Sequence, residues 1–388
     1  MRKGFFEGTA ILVGMIIGAG VFTLPYVSLK SGVIPTLILL ALVGILVTYI
    51  HLLYGELSLR TEKSCGLPGY VGIYLGDRVK KFVLLTTLLT FSISLLILLL
   101  LATQFLTTLL NQIGVTSLGS PWIFTILWLV ISFITLYDSR LAVKANFILS
   151  FILVAIFIFI SLKSFPVIQM ANIVPTHWLG FLLPYGVIFY SINGLAAVPE
   201  SLQTARINNL PRKKYKQIIL WGTLIPVIIY ALFIVSVVGI SGLSTTETAI
   251  GGLVGILGPK IVILGAVLGL LAVVTSYVSF GMYLKHLFVN DLGFTRVIAQ
   301  ALILLMPFIL YFTGLNNFLQ AIGFMGALLG GAEGILVLIS AYKAKKMDSN
   351  REPEYTVPLP KWLLIVLIIA LLGGATMEVA KVLKGVIG

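Results

Sequence analysis

The sequence predicts an all-helical membrane protein built from two five-helix repeats of opposite orientation, followed by one further helix. Its 388 residues are 59% hydrophobic and only 10% charged, and the mean hydropathy is +1.11. A soluble domain carries about 25% charged residues, so this composition indicates a chain that crosses a membrane many times. Two apolar segments share one interruption, a glycine followed five positions later by a proline: Gly20 with Pro25, and Gly194 with Pro199.

The first interrupted segment covers residues 5–29 and also contains Gly14 and Gly18. Glycine weakens a helix by about 1 kcal/mol relative to alanine, and proline by about 3 kcal/mol, so we predict a break in the middle of this span. Unpaired backbone groups inside a membrane are tolerated only where they face protein or a water-lined cavity. The break therefore favours a ligand site, with close helix packing by glycine as the alternative.

The chain contains eleven apolar segments long enough to be spans. Most of its 26 lysines and arginines fall in the loops on the side of the N-terminus, which predicts a cytoplasmic N-terminus and an external C-terminus. Because five spans make an odd-numbered half, two successive halves must have opposite orientations. The predicted spans are 5–29, 33–56, 82–110, 121–137, 141–164, 178–201, 215–240, 258–285, 294–312, 316–342 and 361–384.

These spans divide the chain into a core, a linker and an added helix. The ten-helix core covers 1–342, with inverted repeats at about 5–164 and 178–342. A polar, proline-containing cytoplasmic linker is expected at 343–360, and the eleventh transmembrane helix at 361–388. The short external stretch 241–257 is a candidate for a small surface helix that covers the site.

The cysteine, histidine and charged-residue content of the chain excludes several classes of function. Cys65 is the only cysteine, and His51, His177 and His286 lie far apart in sequence, so neither a disulfide nor a metal cluster is expected. No paired carboxylates, nucleophile–base pattern or phosphate-binding loop appears, which argues against an enzyme and against a cofactor. The net charge of +13 is assigned to cytoplasmic loops and not to nucleic-acid binding.

Three motifs resemble one family of membrane proteins. The first is Ile17–Tyr26, IGAGVFTLPY; the second is Gly194–Glu200 with the basic turn Leu210–Lys214; the third, Pro226 and Tyr230, is weaker. By these residues the chain resembles the amino acid/polyamine/organocation superfamily, closest to the amino acid/auxin permease and aromatic amino acid permease families. The resemblance implies a leucine-transporter-like five-plus-five fold with spans 1 and 6 broken. It also implies alternating-access import of amino acids across the plasma membrane, coupled to sodium or protons.

A zwitterionic amino acid needs donors for its carboxylate and acceptors for its ammonium group, and broken helices supply both from the backbone. Following the resemblance, we assign the carboxylate role to Gly18 and Gly20, and the ammonium role to the carbonyls of Ile16, Phe189 and Tyr190. Many relatives carry an aromatic residue before the span 6 glycine and a histidine after it, and this chain departs from that pattern. The predicted pocket also includes Ser191, Asn193 and Gly194.

A sodium site is predicted where span 8 faces span 1, and sodium is favoured over protons because the middle of span 5 contains no lysine that could replace a cation. The adjacent hydroxyls of Thr275 and Ser276, with Ala272 one turn earlier, would face the carbonyls of Gly14 and Ile17. This arrangement resembles the sodium site of many relatives. The alternative for these hydroxyls is hydrogen bonding to their own helix.

Acidic residues inside spans are the other candidates for coupling, since burying them is costly. Glu333 lies well inside span 10 and is the candidate proton site. Glu56 and Glu200 are predicted to be gate or snorkelling residues at cytoplasmic helix ends, and Glu7 lies near the inner mouth. No transport role is expected for Glu378.

A second class of function stays open at this point. A membrane-embedded amino-acid sensor of the same fold, resembling spore-germination receptor subunits, would bind its ligand without carrying it across. For the transporter, the expected partners are a small-molecule amino acid and membrane lipid, with no obligatory protein partner.

Overall fold

The computed structural model of the chain describes residues 2–62, 65–115, 119–136, 140–173, 176–253, 258–347 and 351–383. Within these ranges the only β-type pairing is a single bridge between Gly32 and Thr176; all other regular structure is helical. The α-helices are α1 Arg2–Ile16, α2 Leu24–Ser31, α3 Val33–Arg60, α4 Leu67–Leu75, α5 Asp77–Gln112, α6 Ser120–Leu136, α7 Arg140–Ser164, α8 Met170–Ile173, α9 Tyr185–Ile192, α10 Val198–Ile207, α11 Arg212–Ser241, α12 Pro259–His286, α13 Arg296–Phe312, α14 Phe318–Phe324, α15 Gly331–Ala344 and α16 Lys361–Leu383.

In the described part of the chain, six helices are long and apolar enough to cross a membrane: α3, α5, α11, α12, the continuous α14–α15 unit and α16. The pair α1 and α2 makes a seventh span, bent by 49° at its break. Shorter apolar helices, α6, α7 and α13, and the broken pair α9–α10 lie at the remaining predicted spans. The all-helical membrane fold is confirmed, and each predicted span contains a helix.

Span 1 breaks where its glycines predict. Helix α1 ends at Ile16, and Gly18 lies outside the helical region (φ −135°, ψ −146°). A 3-10 turn, Ala19–Thr23, then leads into α2, which carries Pro25 in its first turn. Proline has no N–H to donate and is tolerated at a helix start, so Pro25 helps to begin α2.

Span 6 repeats this construction. Helix α9 ends at Ile192, Asn193 is extended, and a 3-10 turn, Leu195–Ala197, leads into α10. Pro199 lies in the first turn of α10, as Pro25 does in α2. The two breaks therefore have the same local cause.

The helices form two packed groups. Helices α1, α3, α10 and α11 pack together and carry an unwound segment from each broken span. Helix α5 is the centre of the other group and packs against α4, α6, α12 and α13. Its stretch Ile93–Ala102 is buried on every side, which is typical of a helix inside a membrane bundle.

Span 10 contains a π-helical turn, Met325–Gly330, between α14 and α15. Here its backbone lies directly against α9. A Cβ atom placed on Gly326 would lie 2.7 Å from the Tyr190 nitrogen, and one on Gly186 would lie 2.9 Å from the carbonyl carbon of Gly323. Spans 6 and 10 can cross this closely only because these positions are glycine.

Glu56, at the end of α3, is buried and paired. Its carboxylate accepts hydrogen bonds from the Lys345 ammonium at 2.5 and 2.6 Å, from Arg60 Nε at 2.9 Å and from the Val357 N–H at 2.8 Å. The snorkelling prediction for Glu56 is therefore wrong, because a ring of donors holds the carboxylate inside the protein. Glu200 is exposed.

Residues 351–360 of the predicted linker pack on this end of the bundle, which we call the N-terminal face. Tyr355 is buried and donates to the Leu52 carbonyl at 2.9 Å. Gly55 makes room for the Tyr355 ring, since a Cβ there would lie 3.4 Å from its Cζ atom and closer still to its hydroxyl. Tyr49 donates to the Pro358 carbonyl.

A buried ion pair on α16 marks the other end of the bundle, the opposite face. The Lys381 ammonium donates to Glu378 at 2.6 Å and to the Leu183 carbonyl at 2.7 Å, and both charged side chains are buried. The hydrogen bond from Lys381 to Leu183 ties α16 to the segment that enters α9. Of the predicted covering stretch, 241–257, residues 254–257 lie outside the described residues.

Candidate functional site

A cavity of about 310 Å³ lies between the unwound segments of spans 1 and 6 and the inner sides of α5 and α12. Ten of the residues predicted for the site line it: Gly14, Ile16, Ile17, Gly18, Gly20, Tyr190, Ser191, Asn193, Ser276 and Glu333. Four do not: Phe189, Gly194, Ala272 and Thr275. Pockets for small molecules have volumes of about 300–1,000 Å³, so the cavity suits a ligand of modest size.

Gly18 and Gly20 differ in what surrounds them. A Cβ atom on Gly18 would meet no atom within 4 Å, whereas one on Gly20 would lie 2.8 Å from the Cα of Ser191. The backbone at Gly18 is therefore open to the cavity. The missing side chain of Gly20 instead lets span 1 approach span 6.

The Tyr230 hydroxyl, from α11, joins the two broken spans. It lies 2.7 Å from the Ile16 carbonyl oxygen and 3.1 Å from the Ser191 carbonyl oxygen, and it donates toward both. These carbonyls end the first half of each broken span, where no helical N–H is available. The sequence motifs marked Tyr230 only as part of the family resemblance.

Two predicted residues support the cavity from behind. The Phe189 ring is buried, and a Cβ atom on Gly330 of the π-turn would lie 3.0 Å from it. Gly194 packs on the Ile16 side chain, and its N–H donates to His51 Nε2 at 3.2 Å. The sequence placed His51 in an apolar span but did not indicate this partner.

The hydroxyls of span 8 do not point the same way. Thr275 donates to the carbonyls of Leu271 and Ala272, each at 3.0 Å, and Ser276 faces the cavity. Successive residues on an α-helix are about 100° apart, so adjacent hydroxyls face different directions. The bonding of Thr275 follows the alternative prediction, hydrogen bonding within its own helix.

Glu333 lies on the cavity wall, one turn beyond the π-turn of span 10. Its side chain is buried, and Oε1 accepts a hydrogen bond from the Thr90 hydroxyl at 3.2 Å. Over the part of the chain that the structure describes, no lysine or arginine forms an ion pair with it. Single-turn π-helices occur frequently at functional sites, and here the turn is next to a carboxyl group that faces the cavity.

One wall of the cavity is aromatic. Phe91 stacks on Tyr283 with ring centroids 4.3 Å apart and meets Phe280 edge-on at 5.4 Å. Tyr54 and Tyr190 also line the cavity. An apolar surface with a few polar groups is typical of a site that orients an amphipathic ligand.

The cavity extends toward the N-terminal face, where Gly66, Glu200 and Gln203 belong to its lining.

At the opposite face, Gln104 donates to the Glu247 carboxylate at 2.7 Å, and Thr23 donates to the Glu247 carbonyl at 3.3 Å. Glu247 belongs to the stretch predicted to cover the site. It ties that stretch to both α5 and the second half of span 1.

Comparison with known proteins agrees with this architecture. Two solved structures of Mhp1 share the fold. One, described as inward-facing, has a TM-score of 0.62 and 14% identity, covering 87% of this chain and 76% of that one. The other, Mhp1 as a nucleobase-cation-symport-1 family transporter in a closed conformation with bromovinylhydantoin bound, has a TM-score of 0.58 and 16% identity, covering 86% and 77%. No curated protein sequence is significantly similar to the chain.

The leucine-transporter-like fold predicted from the motifs is therefore confirmed, and the chain is a multi-pass membrane transporter and not an enzyme. Residues 1–378 match the sequence pattern of one family over nearly the whole chain. On that match, the chain belongs to the tryptophan/tyrosine permease family.

Proposed function

We propose that this secondary transporter imports amino acids across the plasma membrane, with aromatic amino acids as its preferred substrates. The observation that carries the proposal is the cavity itself. It places unwound backbone from both broken spans opposite a wall of aromatic rings. One end of the cavity suits a zwitterion, and the other suits an aromatic side chain.

The zwitterion is bound mainly by backbone. A carboxylate at Gly18 meets the start of the second half of span 1, where N–H groups are unpaired and the helix dipole is positive. The ammonium group meets carbonyls that end the first halves of both broken spans. Ile16 already accepts from Tyr230, but a carbonyl oxygen has two lone pairs and can accept a second donor.

The aromatic wall selects the side chain. Aromatic rings pack edge-to-face or offset, which adds about 0.5–1.5 kcal/mol for each pair beyond the burial of area. Phe91 already makes both kinds of contact with its neighbours, Phe280 and Tyr283. A substrate ring placed beside it would extend this cluster.

The driving ion is proposed to be the proton, bound at Glu333. A carboxylate buried without a cation is costly, and Glu333 has only the Thr90 hydroxyl as its described hydrogen-bond partner. A proton, or the cationic end of a substrate, relieves that cost at the cavity wall. Sodium at Ser276 and Thr275, with the carbonyls of Gly14 and Ile17, is the alternative, although the Thr275 hydroxyl is bonded within its own helix.

Uptake into proteoliposomes tests the substrate and the ion together. The purified chain is expected to accumulate labelled L-tryptophan and L-tyrosine, with weaker competition from aliphatic amino acids. An imposed pH gradient in sodium-free buffer should drive uptake, and Glu333→Gln should abolish this drive while leaving exchange of internal for external substrate. Full dependence on a sodium gradient, lost in a Thr275→Ala, Ser276→Ala double variant, would contradict the proton proposal.

The same assay distinguishes the sensor alternative. A sensor would be stabilised against heat by an aromatic amino acid and yet show neither uptake nor exchange. That combination of results would contradict the transport proposal.

A further inference from the structure

His51 is completely buried in the middle of α3, where it faces α11 and the break in span 6. Its Nδ1 lies 2.9 Å from the Thr223 hydroxyl, and its Nε2 lies 3.2 Å from the Gly194 nitrogen. Neither His51 nor Thr223 lines the cavity. The imidazole therefore joins three helical segments from behind the site.

The hydrogen bonds determine which nitrogen carries the proton. The Gly194 N–H can only donate, so Nε2 must accept and cannot carry a hydrogen. The ring is then neutral with its hydrogen on Nδ1, and Nδ1–H donates to the Thr223 oxygen. The Gly194 N–H thus fixes the tautomer, because the other tautomer would place two N–H donors against each other; the Thr223 hydroxyl, which can donate or accept, accepts from Nδ1–H.

We propose that His51 is a positioning residue for transport, which holds the break of span 6 at the cavity by accepting the Gly194 N–H while Thr223 accepts from its Nδ1–H. This inference rests on the proposed function for its effect on substrate binding. The contact itself does not depend on the identity of the substrate.

The hydrogen bond between Gly194 and His51 also limits which backbone N–H groups are available to a substrate. At the break in span 6, the Gly194 N–H is bonded to His51 and the Leu195 N–H is bonded to the Asn193 side chain at 3.2 Å. Both of these N–H groups already have protein acceptors, so they are not available to a substrate carboxylate. This favours the carboxylate site at Gly18 in span 1 that the proposed function assigns.

Two pairs of substitutions separate positioning from general packing. His51→Gln keeps an acceptor for Gly194, whereas His51→Leu removes it. Thr223→Ser keeps the acceptor for Nδ1–H, whereas Thr223→Val keeps the volume and removes the acceptor. Thr223→Val leaves His51 in place and removes only the acceptor for Nδ1–H, so it tests the support of the imidazole even if His51→Leu does not fold.

The first measurement is independent of substrate. Hydrogen–deuterium exchange of a peptide covering residues 186–198 should be roughly tenfold faster in His51→Leu and Thr223→Val, the size expected when a buried donor loses its partner. His51→Gln and Thr223→Ser should stay within about threefold of wild type. Imidazole ¹⁵N NMR of a His177→Gln, His286→Gln variant should show one neutral ring protonated at Nδ1. A ring protonated at Nε2, or unchanged exchange in Thr223→Val, would overturn the proposal.

The second measurement is the KM for L-tryptophan uptake in proteoliposomes. His51→Leu and Thr223→Val are expected to raise KM roughly tenfold, and combining them should add little because they remove one shared contact. Faster exchange with an unchanged KM would overturn the role in transport. If wild type takes up no amino acid, the proposed function fails, and the exchange and NMR results alone decide whether His51 holds the break.

Discussion

Replacing Gly20 with alanine tests whether this glycine serves the ligand or the contact between the broken spans. The new Cβ atom would lie 2.8 Å from the Cα of Ser191, where ordinary contacts begin at 3.4 Å. Span 6 would have to retreat by several tenths of an ångström. Ser191 has little freedom to move, because it is buried and its hydroxyl donates to the Val187 carbonyl at 2.7 Å.

The magnitude follows from two costs. Overpacking a well-packed interior costs about 1–3 kcal/mol, and weakening the Ser191 hydrogen bond costs about 1 kcal/mol. The lower limits of these two costs add to about 2 kcal/mol. Because each 1.4 kcal/mol is a factor of ten, this corresponds to a roughly 30-fold loss of transport activity. We therefore expect Gly20→Ala to lower Vmax/KM for L-tryptophan uptake by at least that factor, with normal insertion into the membrane.

Gly18→Ala is the matched control. Gly18 has a negative φ (−135°), the new Cβ meets no atom within 4 Å, and the N–H is kept. Uptake should therefore stay within about threefold of wild type. Equal losses in both variants would mean that the ligand, and not Ser191, requires the missing side chains, and the packing argument would be refuted.

Three further predictions concern hydrogen bonds at other levels of the bundle. Tyr230→Phe removes the donor shared by the two broken spans and should lower uptake about tenfold. Tyr185→Phe is the control and should leave uptake unchanged, because it removes a buried hydroxyl with no hydrogen-bond partner in the described structure. Equal uptake in the two variants would contradict the bridging role of Tyr230. Gln104→Leu removes the donor to Glu247 and should speed the labelling of cysteines introduced along α2 by an impermeant maleimide added at the opposite face. Burial raises the pKa of Tyr355 above its ordinary value of 10.0, with the nearby carboxylates adding to the rise, so the unfolded chain ionises first and stability is lost above about pH 10. Tyr355→Phe should therefore show a shallower fall in melting temperature between about pH 9 and 11, and an unchanged slope would contradict this origin.

The two breaks could be predicted from sequence because their causes are local. Glycines weaken the helix and a proline restarts it, and α1 ends at Ile16 as the spacing predicts. The groups that satisfy the broken backbone could not be predicted in the same way. Tyr230 and Ile16 are 214 positions apart, and His51 and Gly194 are 143 apart. In the sequence such residues are only polar side chains within apolar helices.

The coupling sites show the same limit. Glu333 and Ser276, both singled out in the sequence, line the cavity, since a polar residue in a membrane helix tends to face the interior. It could not decide between the two hydroxyls of span 8, because their directions depend on the rotation of the helix against its neighbours. The π-turn before Glu333 changes that rotation within span 10, and no residue pattern in the sequence predicted it.

The packed linker has a consequence for the eleventh helix, which the repeat argument treats as an addition. Val357 donates to the buried Glu56 carboxylate, and Tyr355 fills the space over Gly55. A chain that ended after α15 would expose that hollow and leave Glu56 facing two cations with one donor fewer. At the opposite face, Lys381 holds the segment entering α9. The last helix is thus fastened at one end to α3 and at the other to the broken span 6, so deleting it from an expression vector, or fusing a rigid partner directly to it, would disturb the substrate cavity from a distance.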